Sequence, residues 1–213
     1  MKLRSLRLAV APVLLAVAVT THAGAQKEEE LAESVVAGLA KAIADAPAPA
    51  NYANRAELQQ WLSEMSRRIA HKVADERERR ELLSTVHYEA TRAGLDPQLV
   101  LGVMYHESGF KKYAISFVGA RGYMQVMPFW VRQIGAVDQN LFNLRTNLRY
   151  GTVILRHYLN IENGDTYRAL GRYNGSLGRP EYPTAVLAAL NRHFAYTPAG
   201  APAATAVSVS TAR

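Results

Sequence analysis

The sequence predicts a predominantly helical, all-α-dominated protein. Apolar residues recur three and four positions apart along most of its length. Helix-starting and helix-stopping residues punctuate those runs. The 213 residues suffice for one substantial domain with extensions.

The chain opens with Lys2, Arg4 and Arg7, an apolar run over 8–19 and the small residues Ala23-Gly24-Ala25. This is the pattern of a signal peptide over 1–25. The apolar run is short for a membrane span, and an uncleaved anchor is the alternative. Residues 26–45 read as a short helix with Leu31, Val35, Leu39 and Ile43 on one edge. An Ala/Pro spacer follows at 46–50. From 54 to 93, Leu58, Trp61, Leu62, Met65, Ile69 and Val73 form one apolar stripe. Leu82, Leu83, Val86 and Ala90 form another. The charged run 75–81 between them is a solvated surface or a junction, giving two helices or one bent helix that ends at Gly94. His71 and His87 read as surface or interfacial residues, not metal ligands.

Asp96-Pro97 reads as an N-cap followed by proline at the first helical position. Leu99, Val100, Val103 and Met104 continue a helix, and Gly109 marks its stop. Glu107 falls in the last turn, beside the apolar face. The helix dipole disfavours an acid there, and burial raises its pKa further. Both effects suit a general acid that must keep its proton near neutral pH. The plainer reading is an acid at the edge of a core helix, bonded to nearby backbone.

Residues 147–159 predict a buried helix in which Gly151 costs about 1 kcal/mol relative to alanine, tolerated for close packing. Asn163-Gly164 is a turn, Asp165 a cap, and 167–172 a short helix. A last helix runs to about Phe194. Residues 198–213 are small and nearly uncharged, a flexible tail.

The formal net charge is +7 and there is no cysteine. Disulfides, thiol catalysis and cysteine-based zinc sites are therefore excluded. Residues 26–92 carry 10 cations against 12 anions, whereas 93–213 carry 12 against 6. The second portion can attract an anionic polymer. No nucleic-acid motif is present.

The stretch from Glu107 to Pro128 carries a longer signal. It contains Glu107-Ser108-Gly109-Phe110, then Ser116, then Gly119-Ala120-Arg121-Gly122-Tyr123-Met124-Gln125-Val126-Met127-Pro128. This resembles the soluble lytic transglycosylases, whose catalytic domain is similar to goose-type lysozyme. Asn147-Leu148-Arg149-Tyr150-Gly151, Tyr173-Asn174 and the spacing of Tyr182 and Val186 also fit the family. The loop after Asn174 departs from it.

The resemblance implies an α+β lysozyme-like catalytic domain over 93–197, with a small β-hairpin near 112–124, and leaves 51–92 as a helical N-terminal extension. It implies cleavage of the MurNAc–GlcNAc bond of peptidoglycan with 1,6-anhydro products, Glu107 acting as acid and then base. Gln125 is expected in substrate binding, and Met124 reads first as core filling and is placed with it. Ser116 either orients Glu107 or contacts substrate, and Tyr173 bonds the catalytic carboxyl or a sugar. Asn147 caps locally or contacts substrate; Tyr182 lines the cleft or packs. Ordinary glycoside hydrolysis uses a second carboxylate, for which only Asp138, Glu162, Asp165 and Glu181 follow Glu107. Goose-type muramidase action and noncatalytic wall binding are the alternatives. No cofactor or metal is expected, and the partners are glycan strands and an unidentified element of the cell-wall machinery. The expected location is periplasmic or secreted, soluble after removal of the signal.

Overall fold

The computed structural model describes residues 26–44, 52, 56–135 and 138–197. The expected signal peptide, the spacer at 46–50 and the tail at 198–213 lie outside these residues. Among them the protein is helical. Its elements are α1 (Glu33–Ala44), α2 (Ala56–Ile69), α3 (Glu76–Arg92), α4 (Pro97–Glu107), α5 (Phe129–Ile134), α6 (Leu144–Ile161), α7 (Thr166–Tyr173) and α8 (Glu181–Ala189). A π-helical turn, Leu190–Phe194, closes α8. No helix among the described residues is long and apolar enough to cross a membrane.

The stripe and the charged run resolve into two helices. Leu58, Trp61, Leu62, Met65 and Ile69 are the buried face of α2, and Leu82, Leu83, Val86 and Ala90 that of α3. Asp75 caps α3 by accepting from the Glu78 amide at 2.7 Å. Arg79 donates to the Val73 and Ala74 carbonyls and to Ser66 Oγ, tying the junction together. The charged run is thus a cap and an exposed first turn.

Helix α4 begins as expected, with the Asp96 side chain accepting from the Gln98 amide at 2.8 Å. It is enclosed more fully than one apolar face requires. Leu99, Val100, Leu101, Gly102, Val103, Met104 and Glu107 are all buried, as α3, α8 and the π-helical turn pack around it. A helix buried on several sides presents no single stripe.

Helix α6 lies against α3 and α7. At its centre Gly151 meets Met124. A Cβ added there would lie 2.4 Å from Met124 Sδ, which accounts for glycine in a helix interior. The hairpin expected at 112–124 is only partly formed. Isolated antiparallel bridges join Ile115 to Arg121 and Arg121 to Val126. Turns interrupt the pairing before strands develop.

The first helix is shorter than expected. Residues 26–32 lie outside the helix, and their polar groups bond to the segment around α5. Gln133 Nε2 donates to the Glu29 carbonyl at 3.1 Å, and Arg132 pairs with Glu28 at 3.6 Å. At its other end, α1 is capped by arginines. Arg92 Nη1 donates to the Ala42 carbonyl at 2.7 Å and Arg149 Nη1 to that of Ile43 at 3.1 Å. Cations at a helix C-terminus are favourable. Both arginines pair with Glu89, which is fully buried. Arg145 approaches the same carboxylate at 3.6 Å. Removing one member of such a cluster strands the remaining buried charges. Glu89→Ala is expected to destabilise the fold by about 3 kcal/mol, measured by urea unfolding. A change below about 0.5 kcal/mol contradicts the role assigned to this cluster.

Candidate active site at the end of helix α4

Glu107 is the last residue of α4, and it is 6% exposed. Burial pushes its carboxyl up to about 8. Hydrogen bonding from Tyr182 and Asn174 opposes this shift without cancelling it. Tyr182 donates its hydroxyl proton to Glu107 Oε1 at 2.6 Å. The other oxygen, Oε2, is buried without a partner in hydrogen-bond geometry, and so is Asn174 Nδ2. Asn174 therefore acts on Glu107 without a well-formed bond. Such contacts often tighten only once substrate is bound. Burial likewise keeps the Tyr182 and Tyr173 phenols neutral, their pKa values well above the ordinary range.

The segment after α4 returns to the end of this helix. Ser108 caps the helix, and its hydroxyl donates to the Tyr123 carbonyl at 2.7 Å. That bond staples the helix end to residues 122–126. Gly122 has φ +73, and a Cβ on it would lie 2.5 Å from Asn147 Nδ2. Gln125 occupies the left-handed region at φ 48, uncommon for a residue with a side chain. Neighbouring bonds hold it there.

Three side chains from distant elements fix this loop. Asn147 of α6 accepts from the Met124 amide at 2.8 Å and donates to the Arg121 and Leu141 carbonyls. Tyr173, at the end of α7, donates to the Met124 carbonyl at 2.7 Å. Gln26, 3% exposed, donates from Nε2 to the Gln125 carbonyl at 3.3 Å and accepts from the Met127 amide at 3.1 Å.

These bonds sort the expected site residues. Tyr182 meets Glu107 directly. Tyr173 is fully buried and bonds the Met124 backbone, so the direct bond expected to the carboxyl is not formed. Asn147 is fully buried and braces the loop, in keeping with its local reading. Met124 is also fully buried, its side chain packed on Gly151, which is a core position rather than a substrate contact. The Gln125 amide nitrogen donates to the Ala114 and Gly122 carbonyls, inside its own loop. Ser116 Oγ accepts from the Ala120 amide at 3.0 Å, so its hydroxyl stabilises a turn rather than orienting Glu107.

Asn174, Ser108 and Gln26 were not expected in the site. Asn174 carried a signal in the Tyr-Asn pair, and Ser108 one in its place beside Glu107. Gln26 lies 99 residues from its partner Gln125 and has no local signal. His106 points away from Ser108, to the Ala185 carbonyl at 2.9 Å, so no serine–histidine pair forms. Among the described residues no group of His, Asp and Glu side chains is arranged to hold a metal.

Residues 84–183 match the family model "Transglycosylase SLT domain". A transglycosylase of Enterobacteria phage PRD1 is 32% identical over 137 residues, an alignment covering 61% of this chain and 51% of that protein. Membrane-bound lytic murein transglycosylase C of Mannheimia succiniciproducens is 49% identical over 49 residues, covering 23% of this chain and 14% of that one. A solved structure of an inactive mutant of lytic transglycosylase Slt from Pseudomonas aeruginosa aligns at 31% identity and TM-score 0.41, covering 46% of this chain and 17% of that chain. The chain thus spans about half, or far less, of the relatives it matches. Residues 84–183, which include Glu107 and the loop after α4, are therefore similar to an SLT transglycosylase domain.

The folded pKa of Glu107 lies above its ordinary value of 4.5, at about 8. The folded state therefore holds the extra proton between those values, and stability falls as pH rises through that window. Glu107→Gln removes this dependence. The variant should match wild type near pH 4 and exceed it by about 1–3 kcal/mol at pH 8 in thermal unfolding. Tyr182→Phe removes a bond that lowers the Glu107 pKa. In the variant the carboxyl should titrate higher than in wild type, seen when each protein is titrated against the matching protein that also carries Glu107→Gln.

Proposed function

We propose that this chain is a peptidoglycan lytic transglycosylase with Glu107 as its single catalytic carboxyl and residues 93–197 as its catalytic unit. The observation that carries the reading is the buried, protonated Glu107 with one oxygen held by Tyr182 and the other unpartnered. The SLT match and the named relatives support it.

In the first step the Glu107 proton passes to the glycosidic oxygen between MurNAc and GlcNAc as the C1–O bond breaks. The bonding electrons leave with the GlcNAc oxygen, which departs as a hydroxyl. The resulting carboxylate then takes the proton from the 6-hydroxyl of the same MurNAc. That oxygen attacks C1, closing a 1,6-anhydro ring and restoring neutral Glu107. Tyr182, neutral throughout, keeps its bond to Oε1 and stabilises the carboxylate intermediate. Asn174 stands ready to bond the other oxygen when it becomes charged. No water enters the balance, and no second carboxylate is needed.

The remaining acids agree with this economy. Arg168 and Arg172 hold Glu162, Asp165 caps α7, and Asp138 and Glu181 are exposed. None contributes to the Glu107 shift. The basic charge of 93–213 favours approach to an anionic wall polymer. Action in the periplasm or outside the cell follows from the leader pattern.

Purified protein incubated with sacculi should release anhydro-MurNAc products, resolved by mass spectrometry. Glu107→Gln should lower the rate about 10²- to 10⁴-fold. Because the acid must be protonated at the start, kcat/KM should be level below neutrality and fall about tenfold per pH unit above pH 8. Reducing-end products would instead indicate hydrolysis.

A further inference from the structure

The loop between α4 and α5 ends in an apolar point. Tyr113 is 70% exposed, Ile115 65%, Val118 48%, and Phe117 is fully exposed. Of the seven large hydrophobic side chains exposed among the described residues, these four lie within six consecutive positions. A concentration of this kind on a folded surface marks an interaction site.

A basic collar surrounds it. Lys111 and Arg121 are exposed, and Lys112 is half-exposed over the Tyr113 ring at 5.4 Å. Arg121 lies 6.0 Å from the centre of Phe142, which in turn contacts Tyr113 at 5.9 Å. No Asp or Glu occurs from 108 to 137. Glu78 and Glu81 of α3 act on Tyr123, two residues beyond Arg121.

We infer that residues 111–121 form a membrane-surface anchor, in which Ile115, Phe117 and Val118 enter the acyl boundary of an anionic bilayer and Lys111, Lys112 and Arg121 engage its headgroups. Apolar side chains projecting from a cationic collar match the layering of that interface. A glycan strand fits less well. Sugars need hydrogen-bonding partners beside ring faces, whereas Ile115 and Val118 offer neither. The Ser116 hydroxyl already closes the turn beneath them.

The anchor goes beyond the proposed chemistry and does not depend on it. Phe117 lies ten positions after Glu107, so the chain holds the carboxyl within about 35 Å of the lipid. Glycan close to the membrane would then be within reach.

The test is sedimentation of the purified chain with vesicles of mixed phosphatidylglycerol and phosphatidylcholine, against phosphatidylcholine alone. Wild type should bind the mixed vesicles, and raised salt should weaken that binding. Phe117→Ser should lower the partition coefficient on the order of tenfold, and Ile115→Ser with Phe117→Ser further. Both changes replace exposed side chains, and circular dichroism checks that the fold is kept. Rates on lipid-free sacculi should be unchanged by Phe117→Ser, which separates failure of the anchor from failure of the catalytic reading. No binding by wild type, or equal binding by the variants, overturns the inference. A loss confined to sacculus binding also overturns it and assigns the tip to glycan.

Discussion

Everything in the site depends on a carboxyl buried at the wrong end of a helix, with no cation among the described residues acting on it. Water would favour the charged form of Glu107, and the negative end of the α4 dipole offers no compensation. The protein resolves the conflict by keeping the proton. Tyr182 supplies a neutral hydrogen bond to one oxygen, and the other faces no competing donor in good geometry. A salt bridge would have steadied the same carboxyl but removed its acidity at neutral pH. The arrangement carries a stability cost that the surrounding core must offset, and active sites commonly carry such a cost.

The core meets that cost by over-determining the loop stapled to the end of α4. Residues 122–127 include a left-handed Gln125 and a glycine whose neighbours leave no room for a Cβ. Asn147, Tyr173 and Gln26 each bond its backbone, from α6, α7 and the non-helical start of the described residues. Met124 is gripped three ways, by its amide, its carbonyl and its side chain against Gly151. Polar residues expected as sugar contacts serve instead to hold the backbone in a conformation it would not adopt alone. The Glu89 cluster does similar work at a distance, fastening α1 to α3 and α6.

Much of this was legible in the sequence because it was local. Asp96-Pro97, the apolar positions after them and Gly109 mark α4, and the long motif from Glu107 to Pro128 marks the domain. Gly151 signalled a close approach before its partner was known. The roles of Tyr173, Asn147 and Gln125 were not legible, since residue type identifies a hydrogen-bonding group but not which group it meets. The hairpin was overdrawn because turns at Gly119 and Gly122 interrupt the pairing. Residues 26–32 were expected within the first helix, yet long-range bonds to the loop and to α5 hold them outside it. Tertiary contacts of that reach leave no mark on local periodicity.

The central claim is that Glu107 is protonated at neutral pH in the folded protein. Carbon-13 NMR of glutamate-labelled protein, with Glu107→Gln used to assign the resonance, measures this directly. The account predicts a carboxyl that titrates at about 8, well separated from the exposed glutamates. Titration near the ordinary value of 4.5 would mean that the site holds a carboxylate rather than an acid, and would contradict the account.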